Sequence, residues 1–223
     1  MAQIFDTLLL LALPASGKSE VRRYLEKVDP ESFHMGPTVQ LDDFPYVHFM
    51  MLLDEAMEKE GQPRPFQEVF GEPFTDPYAW GTLVELVNED YRDLEAQPHV
   101  SPDEAGVYLL QRFDRARVAV GGEPRLTVLE KDVQARIVAR VQDEAKKMLL
   151  EKEASYPDTL EGKTLVIEFA RGGAEGSSFP LPGHHGYGYS LPLLAPEILE
   201  KAAILYIWVT PEESRRKNTE RAD

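Results

Sequence analysis

The hydrophobic pattern changes period several times along this chain. Residues 7–13, TLLLLAL, are apolar without a break after the first threonine, which suits a parallel strand buried on both faces. Val21, Tyr24, Leu25 and Val28 then recur at helical spacing among charged residues, and Asp29-Pro30 is expected to end that helix. Residues 37–44, PTVQLDDF, read as a short second strand ending in two acids, and residues 46–60 as a helix stopped by Gly61. Residues 62–80, rich in proline and aromatic side chains, read as a loop that packs. Helical patterns follow over 81–97, 102–120 and 126–154, the last with an apolar stripe through Val133, Ile137, Val141, Ala145 and Leu149. Residues 164–173, TLVIEFARGG, return to a buried strand, and a glycine-rich loop comes after it. A short helix at 196–201, a strand at 202–209 and a helix start at Thr210-Pro211-Glu212-Glu213 complete the pattern. Strand, loop and helix repeated around a helical insertion predict an α/β fold with a parallel sheet.

Composition narrows this picture. A chain of 223 residues with 43% hydrophobic residues is long enough for one large domain or a domain with an insertion. It has no cysteine, so it has no disulfide framework and no thiolate chemistry, as fits the cytosol. The formal net charge of −15 argues against non-specific binding to nucleic acid or anionic membrane, while leaving room for a small anion in a local basic pocket. The apolar run at 7–13 is too short to span a membrane, which takes about 20 residues. As a signal peptide it lacks a basic segment ahead of it, and Asp6 is acidic.

Residues 12–19, ALPASGKS, carry the most specific chemistry. They fit the phosphate-loop pattern G-x-x-x-x-G-K-[ST], with alanine in the first position, where a small residue matters more than a positive φ. The N–H groups of Ala15, Ser16, Gly17, Lys18 and Ser19 can curl around a phosphate, and the helix that follows adds its dipole. Gly17 permits close approach, Lys18 reaches the β- and γ-phosphates, and Ser19 can meet Mg²⁺. A buried strand before the motif and an amphipathic helix after it are the context that makes it specific. A plain strand-to-helix turn would instead leave the lysine exposed.

The rest of the site is expected at other strand ends. Glu168, after three apolar residues, is the candidate metal-supporting acid, its structural alternative being a pair with Arg171 or Lys18. Asp42 and Asp43 end the second strand, where one can accept a proton from a substrate hydroxyl; Asp43 can equally cap the next helix. Arg171 can clamp an anion. Arg215, Arg216, Lys217 and Arg221 form a basic cluster that can stabilise a transferring phosphoryl group, or pair along the helix as Glu212–Arg216 and Glu213–Lys217. His184 and His185, without a third ligand, are weak as a metal site. Residues 62–80, through Phe66, Phe70, Phe74 or Tyr78, and residues 172–189 are expected to wall an acceptor pocket, or else the aromatics only pack the insertion.

At ALPASGKSEVRRYL, VQLDDF, LVIEFARGG and ILYIWVTPEESRRKNTER, about a third of the chain, the sequence resembles the P-loop kinase superfamily in its nucleoside and nucleoside-monophosphate kinase-like branch. The resemblance implies a parallel-sheet P-loop NTPase core across residues 1–223, with a large, mostly helical insertion at 44–155 that binds the acceptor. It implies ATP and Mg²⁺ as cofactors and phosphoryl transfer to a small hydroxyl or phosphate acceptor in the cytoplasm, with no nucleic-acid or membrane partner. Ala15 to Ser19, Arg215 and Arg221 would then hold the nucleotide, and Ser19 and Glu168 the metal. Lys18, Asp42, Asp43, Arg171 and Arg216 would carry the catalysis. Such kinases usually continue with a further strand and helix beyond the basic cluster; here that part is expected to be missing from the sequence or reduced. The base-reading N-K-x-D pattern of GTPases is absent. The alternative function is a nucleotide-operated switch or regulatory ATPase whose insertion binds a protein, and a weaker one is a nucleotide-binding module without turnover. The acid pair after the second strand favours the kinase, because a switch needs no proton acceptor there.

Overall fold

The structure, a computed structural model, describes residues 4–69, 74, 76–173, 177–178, 180–181 and 183–220. The chain divides into two compact units, one of Met1–Asp42, Pro157–Tyr187 and Leu194–Asp223, the other of Asp43–Tyr156 and Gly188–Leu193. The expected insertion at 44–155 lies within the second.

The first unit is built on a four-stranded, all-parallel sheet of β1 (Thr7–Ala12), β2 (Thr38–Asp42), β3 (Thr164–Ala170) and β4 (Ala202–Ile207), in the order β2-β3-β1-β4. The two most apolar runs are the two central strands. Every residue of β1, and all of β3 except Ala170, is buried, because both faces of a central strand are covered. β4, at an edge, alternates instead, with Ile204 and Tyr206 exposed.

Helix α1 (Lys18–Leu25) follows β1 directly. Val21 and Leu25 pack with Leu8, Leu10, Val166 and Leu205, which share one sheet face. The Asp29-Pro30 dipeptide opens a helix as well as following one. Asp29 accepts from the Ser32 N–H and hydroxyl and caps α2 (Pro30–Phe33), with proline in the first turn. The expected helix to Val28 therefore stops three residues earlier than its apolar spacing suggests.

The connection leaving β1 passes over β3 to reach β2, and the connection leaving β3 passes over β1 to reach β4. Right-handed crossovers send them to opposite faces. The packing agrees: α1 lies on the face of Leu8 and Leu10, whereas Tyr187, from the connection after β3, packs on Phe169 and Tyr206 of the other face. The C-terminal ends of β1 and β3 thus flank a topological switch point, where open α/β sheets place ligands.

The second unit is helical, with α3 (Phe44–Lys59), α4 (Pro77–Ala96), α5 (Ala105–Ala119) and α6 (Lys131–Ala154). α5 packs against α4 and α6, and α6 against α3, around Phe49, Leu53, Leu86, Leu109, Phe113 and Ile137. Carboxylates hold its loops. Asp54 accepts from the N–H groups of Phe66 and Gln67, and Asp114 from those of Arg125, Leu126 and Thr127. Asp114 thereby fixes residues 125–127 as a loop, and the helix expected from 126 begins at Lys131.

Candidate functional site

The segment between Ala12 and Lys18 turns through two residues of positive φ, Ala15 at 53° and Gly17 at 92°. Left-handed residues alternating with ordinary ones curl the backbone so that successive N–H groups point into a common hollow. Glycine is needed at 17 for its φ rather than for space, since a Cβ there would meet only Glu20 Oε2 at 3.4 Å. Ala15 takes the left-handed region without that freedom, a strain of about 1 kcal/mol or more. Ala12 stays in strand register with Ala170 and Ile207, so the first motif position needs no positive φ.

Gly17 occupies the N-cap of α1, and its carbonyl takes the first helical bonds, from Glu20 and Val21. The N–H groups before Glu20 lie upstream of any intrahelical acceptor. Lys18 is the first helical residue and is 9% exposed. It does not project into solvent as a lysine on a plain turn would. Ser16 is buried, and its Oγ has no hydrogen-bond partner.

Glu168 lies in register with Leu10 of β1 and Asp42 of β2. Partners in register on parallel strands share a face, so Glu168 and Asp42 stand side by side toward the strand ends. Glu168 is buried, and its Oε2 lies 3.6 Å from Arg22 Nη1 on α1 but makes no hydrogen bond. Arg22, which carries no motif signal of its own as strong as that of Lys18, is thus an ion-pair partner of Glu168. Asp43 occupies the N-cap of α3 and is buried, but its side chain makes no capping bond.

Arg171 follows β3. Its N–H donates to the Ala12 carbonyl and its Nη1 to the Ala170 carbonyl at 2.7 Å, and its guanidinium lies 4.8 Å from the centre of the Phe169 ring. At 1% exposure it is packed against the strand end.

The basic cluster lies on α7 (Pro211–Glu220), whose start is capped by Thr210 Oγ1 accepting from the Glu213 N–H. Ser214 donates its hydroxyl to the Pro14 carbonyl at 2.6 Å, which ties this helix to the loop. Arg215 lies 3.6 Å from Glu212, and Lys217 3.7 Å from Glu213. Arg216 pairs with Glu213 and Glu220 rather than with Glu212, and these hydrogen bonds hold its guanidinium above its ordinary pKa. Arg221 lies outside the described residues.

Tyr187 and Arg22 are functional candidates that pattern reading missed. The Tyr187 hydroxyl accepts from the Ala12 N–H at 2.7 Å and lies 2.9 Å from the Phe169 carbonyl, to which it can donate. It bridges β1 and β3 at the mouth of the loop. Nothing in the local sequence marks a tyrosine for that role. Arg22 does carry a signal, since it lies one helical turn after Lys18 and so shares its face of α1.

In the helical unit, Phe66 and Phe74 are in the core, so neither is an open pocket wall. Tyr78 is 37% exposed and lies under Arg117, and Phe70 is outside the described residues. The His184 and His185 rings lie 4.3 Å apart. Among the described residues there is no group of three or more His, Cys, Asp or Glu that could hold a metal ion, and no helix is long and apolar enough to cross a membrane. Comparison with family models, with curated proteins and with solved structures found no match.

Proposed function

We propose that this chain is a P-loop phosphotransferase of the small-molecule kinase type, which moves the γ-phosphoryl group of ATP to a small hydroxyl or phosphate acceptor. One observation carries the reading. A buried parallel strand runs through left-handed Ala15 and Gly17 into a helix whose first residue is a buried lysine. That geometry suits a bound phosphate, held by loop N–H groups, the helix dipole and the Lys18 ammonium.

The residues fit Mg²⁺ as well. Ser16 Oγ and Glu168 Oε2 are buried polar atoms without hydrogen-bond partners beside the same strand ends, and Ser19 opens α1. Ser19 and Glu168 would hold the ion, which when bound neutralises charge on the β- and γ-oxygens. Asp42 or Asp43 takes the proton of the acceptor hydroxyl as its oxygen bonds to the γ-phosphorus. The bond from that phosphorus to the β–γ bridging oxygen breaks, and ADP leaves with the electron pair. Arg215 and Arg216 face this charge only after giving up their glutamates. Arg171 is assigned to holding the strand end.

A second reading, a nucleotide-operated switch whose helical unit binds a protein, is favoured by one observation: Phe66 and Phe74 close the helical core instead of lining an acceptor pocket. A thermal-shift screen of nucleotides and small acceptors, with and without Mg²⁺, followed by product analysis, separates the two. Acceptor-dependent formation of a phosphorylated product supports the kinase. Nucleotide binding with only slow, acceptor-independent hydrolysis supports the switch, and no nucleotide-induced shift at all overturns both.

A further inference from the structure

Arg22 and Glu168 form a loose ion pair beside the phosphate loop. Their nearest atoms, Nη1 and Oε2, are 3.6 Å apart, within ion-pair range but too far for a hydrogen bond. Oε2 and the Arg22 Nε are both buried without hydrogen-bond partners, and the Arg22 side chain keeps 28% of its surface exposed. A buried arginine–carboxylate pair optimised for structure is short and fully bonded. This chain contains one for comparison, in which Arg112 meets Glu89 at 2.6 Å and Asp90 at 2.8 Å. The strand register also sets Asp42 beside Glu168, so two acids stand next to each other at the strand ends. Arg22 holds its partner loosely and has a route to solvent.

We propose that Arg22 is a positioning residue that occupies the Glu168 carboxylate in the metal-free protein and yields it when Mg²⁺ arrives with the nucleotide. The inference rests on the phosphate-loop reading above. Guanidinium and metal compete for one carboxylate, so Arg22 opposes metal binding while the loop is empty. A nucleotide brings the negative charge that compensates Arg22 once it is released. Metal and nucleotide binding are thereby coupled, and the site resists filling with metal alone.

Mn²⁺ binding followed by electron paramagnetic resonance, with and without ADP, tests this in the full chain. Without ADP, Arg22→Gln should bind Mn²⁺ about tenfold more tightly than wild type, the scale of removing one like charge a few ångströms away. Arg22→Lys should match wild type, Glu168→Gln should bind more weakly, and the gain in Arg22→Gln should shrink when ADP is present. Unchanged or weaker Mn²⁺ binding in Arg22→Gln, alongside normal ADP binding, overturns the inference and leaves the phosphate loop standing. Failure of the wild type to bind ADP overturns both. Should Arg22→Gln not fold, the arginine Nε–Hε resonance of wild type that is missing from Arg22→Lys provides the second reading. It should move when Mg²⁺ and ADP are added together, and an unmoved resonance at saturation overturns the inference.

Discussion

Arg112 in the helical unit and Glu168 in the sheet unit are both buried, and their surroundings differ in kind. Arg112 donates to the Tyr46 hydroxyl, to Asp90, to Glu89 and to the Leu86 carbonyl. Lys152 closes the cluster from α6, meeting Asp90 at 2.6 Å and also Asp93. Burial alone would lower the pKa of Arg112, but the Asp90 and Glu89 carboxylates beside it outweigh that and hold the guanidinium charged. Burial, then the Asp90 carboxylate, pushes the Tyr46 phenol well above its ordinary range. In the sheet unit, Ser16 Oγ, Arg22 Nε and Glu168 Oε2 are buried and lack hydrogen-bond partners. A saturated network rigidifies a fold and leaves nothing for a ligand to gain. Unsatisfied buried atoms cost about 1–3 kcal/mol each, and a ligand that satisfies them recovers it. The Arg112 cluster is saturated, whereas the atoms near the phosphate loop keep bonding capacity that a ligand can use.

The largest expected effect falls on the binding side of that contrast. Asp42→Asn or Asp43→Asn, whichever removes the proton acceptor, should cut phosphoryl transfer by about 10²–10⁴-fold, with ATP affinity little changed. Steady-state kinetics and calorimetry on both variants check this. Full transfer by both would make these acids structural and would strengthen the switch reading.

Arg112→Ala should do the opposite. Removing one partner of a buried ionic network costs about 3–5 kcal/mol, which urea unfolding would read. Nucleotide affinity of the folded fraction should stay at the wild-type value. A loss below about 1 kcal/mol, the range of surface pairs, would erase the contrast.

Asp54 supplies a pH-dependent test within the helical unit. Burial raises its carboxyl from 3.8 to about 6, against the opposing hydrogen bonds from Phe66 and Gln67. The folded protein therefore takes up this proton before the unfolded chain does. The stability this gives is full below about pH 4 and is lost as pH rises through about 6, a change of at most about 3 kcal/mol. Urea unfolding between pH 4 and 7 should show that component in wild type and not in Asp54→Asn. Identical pH profiles would mean that the carboxyl titrates alike in both states.

The smallest effects sharpen the description of the loop. Gly17→Ala forces a Cβ onto a φ of 92° and should cost about 1–2 kcal/mol. Ala15→Gly relieves strain but loosens the unfolded chain, so its stability should lie within about 0.5 kcal/mol of wild type. A costly Ala15→Gly would show that Ala15 contributes packing beyond its backbone.

How much of this was legible in sequence depends on the range of the interactions. The apolar run at 7–13 and the run at 164–170, interrupted only by Glu168 after its first threonine, read directly as central strands, since burial on both faces leaves few polar positions. The loop, Lys18 and the acids after β2 and within β3 were visible because their spacing is local. The short helix after Asp29 was readable as aspartate before proline, a cap as well as a stop. Tyr187 reaches Ala12 across 175 residues, and Ser214 reaches Pro14 across 200, so no window of local pattern contains either bond. The stacking of Arg171 on Phe169 depends on which face of the strand end the chain leaves by. The burial of Phe66 and Phe74 depends on a core assembled from four separate helices. In each case tertiary packing, rather than residue type, sets the contact.

The claim on which the rest depends is that the loop from Ala12 to Lys18 holds nucleotide phosphates. Isothermal titration of wild type and Lys18→Ala with ATP and Mg²⁺ tests it most directly, with circular dichroism confirming that both are folded. The account predicts saturable binding by wild type and no measurable binding by Lys18→Ala. Equal affinity in a folded Lys18→Ala protein would contradict it.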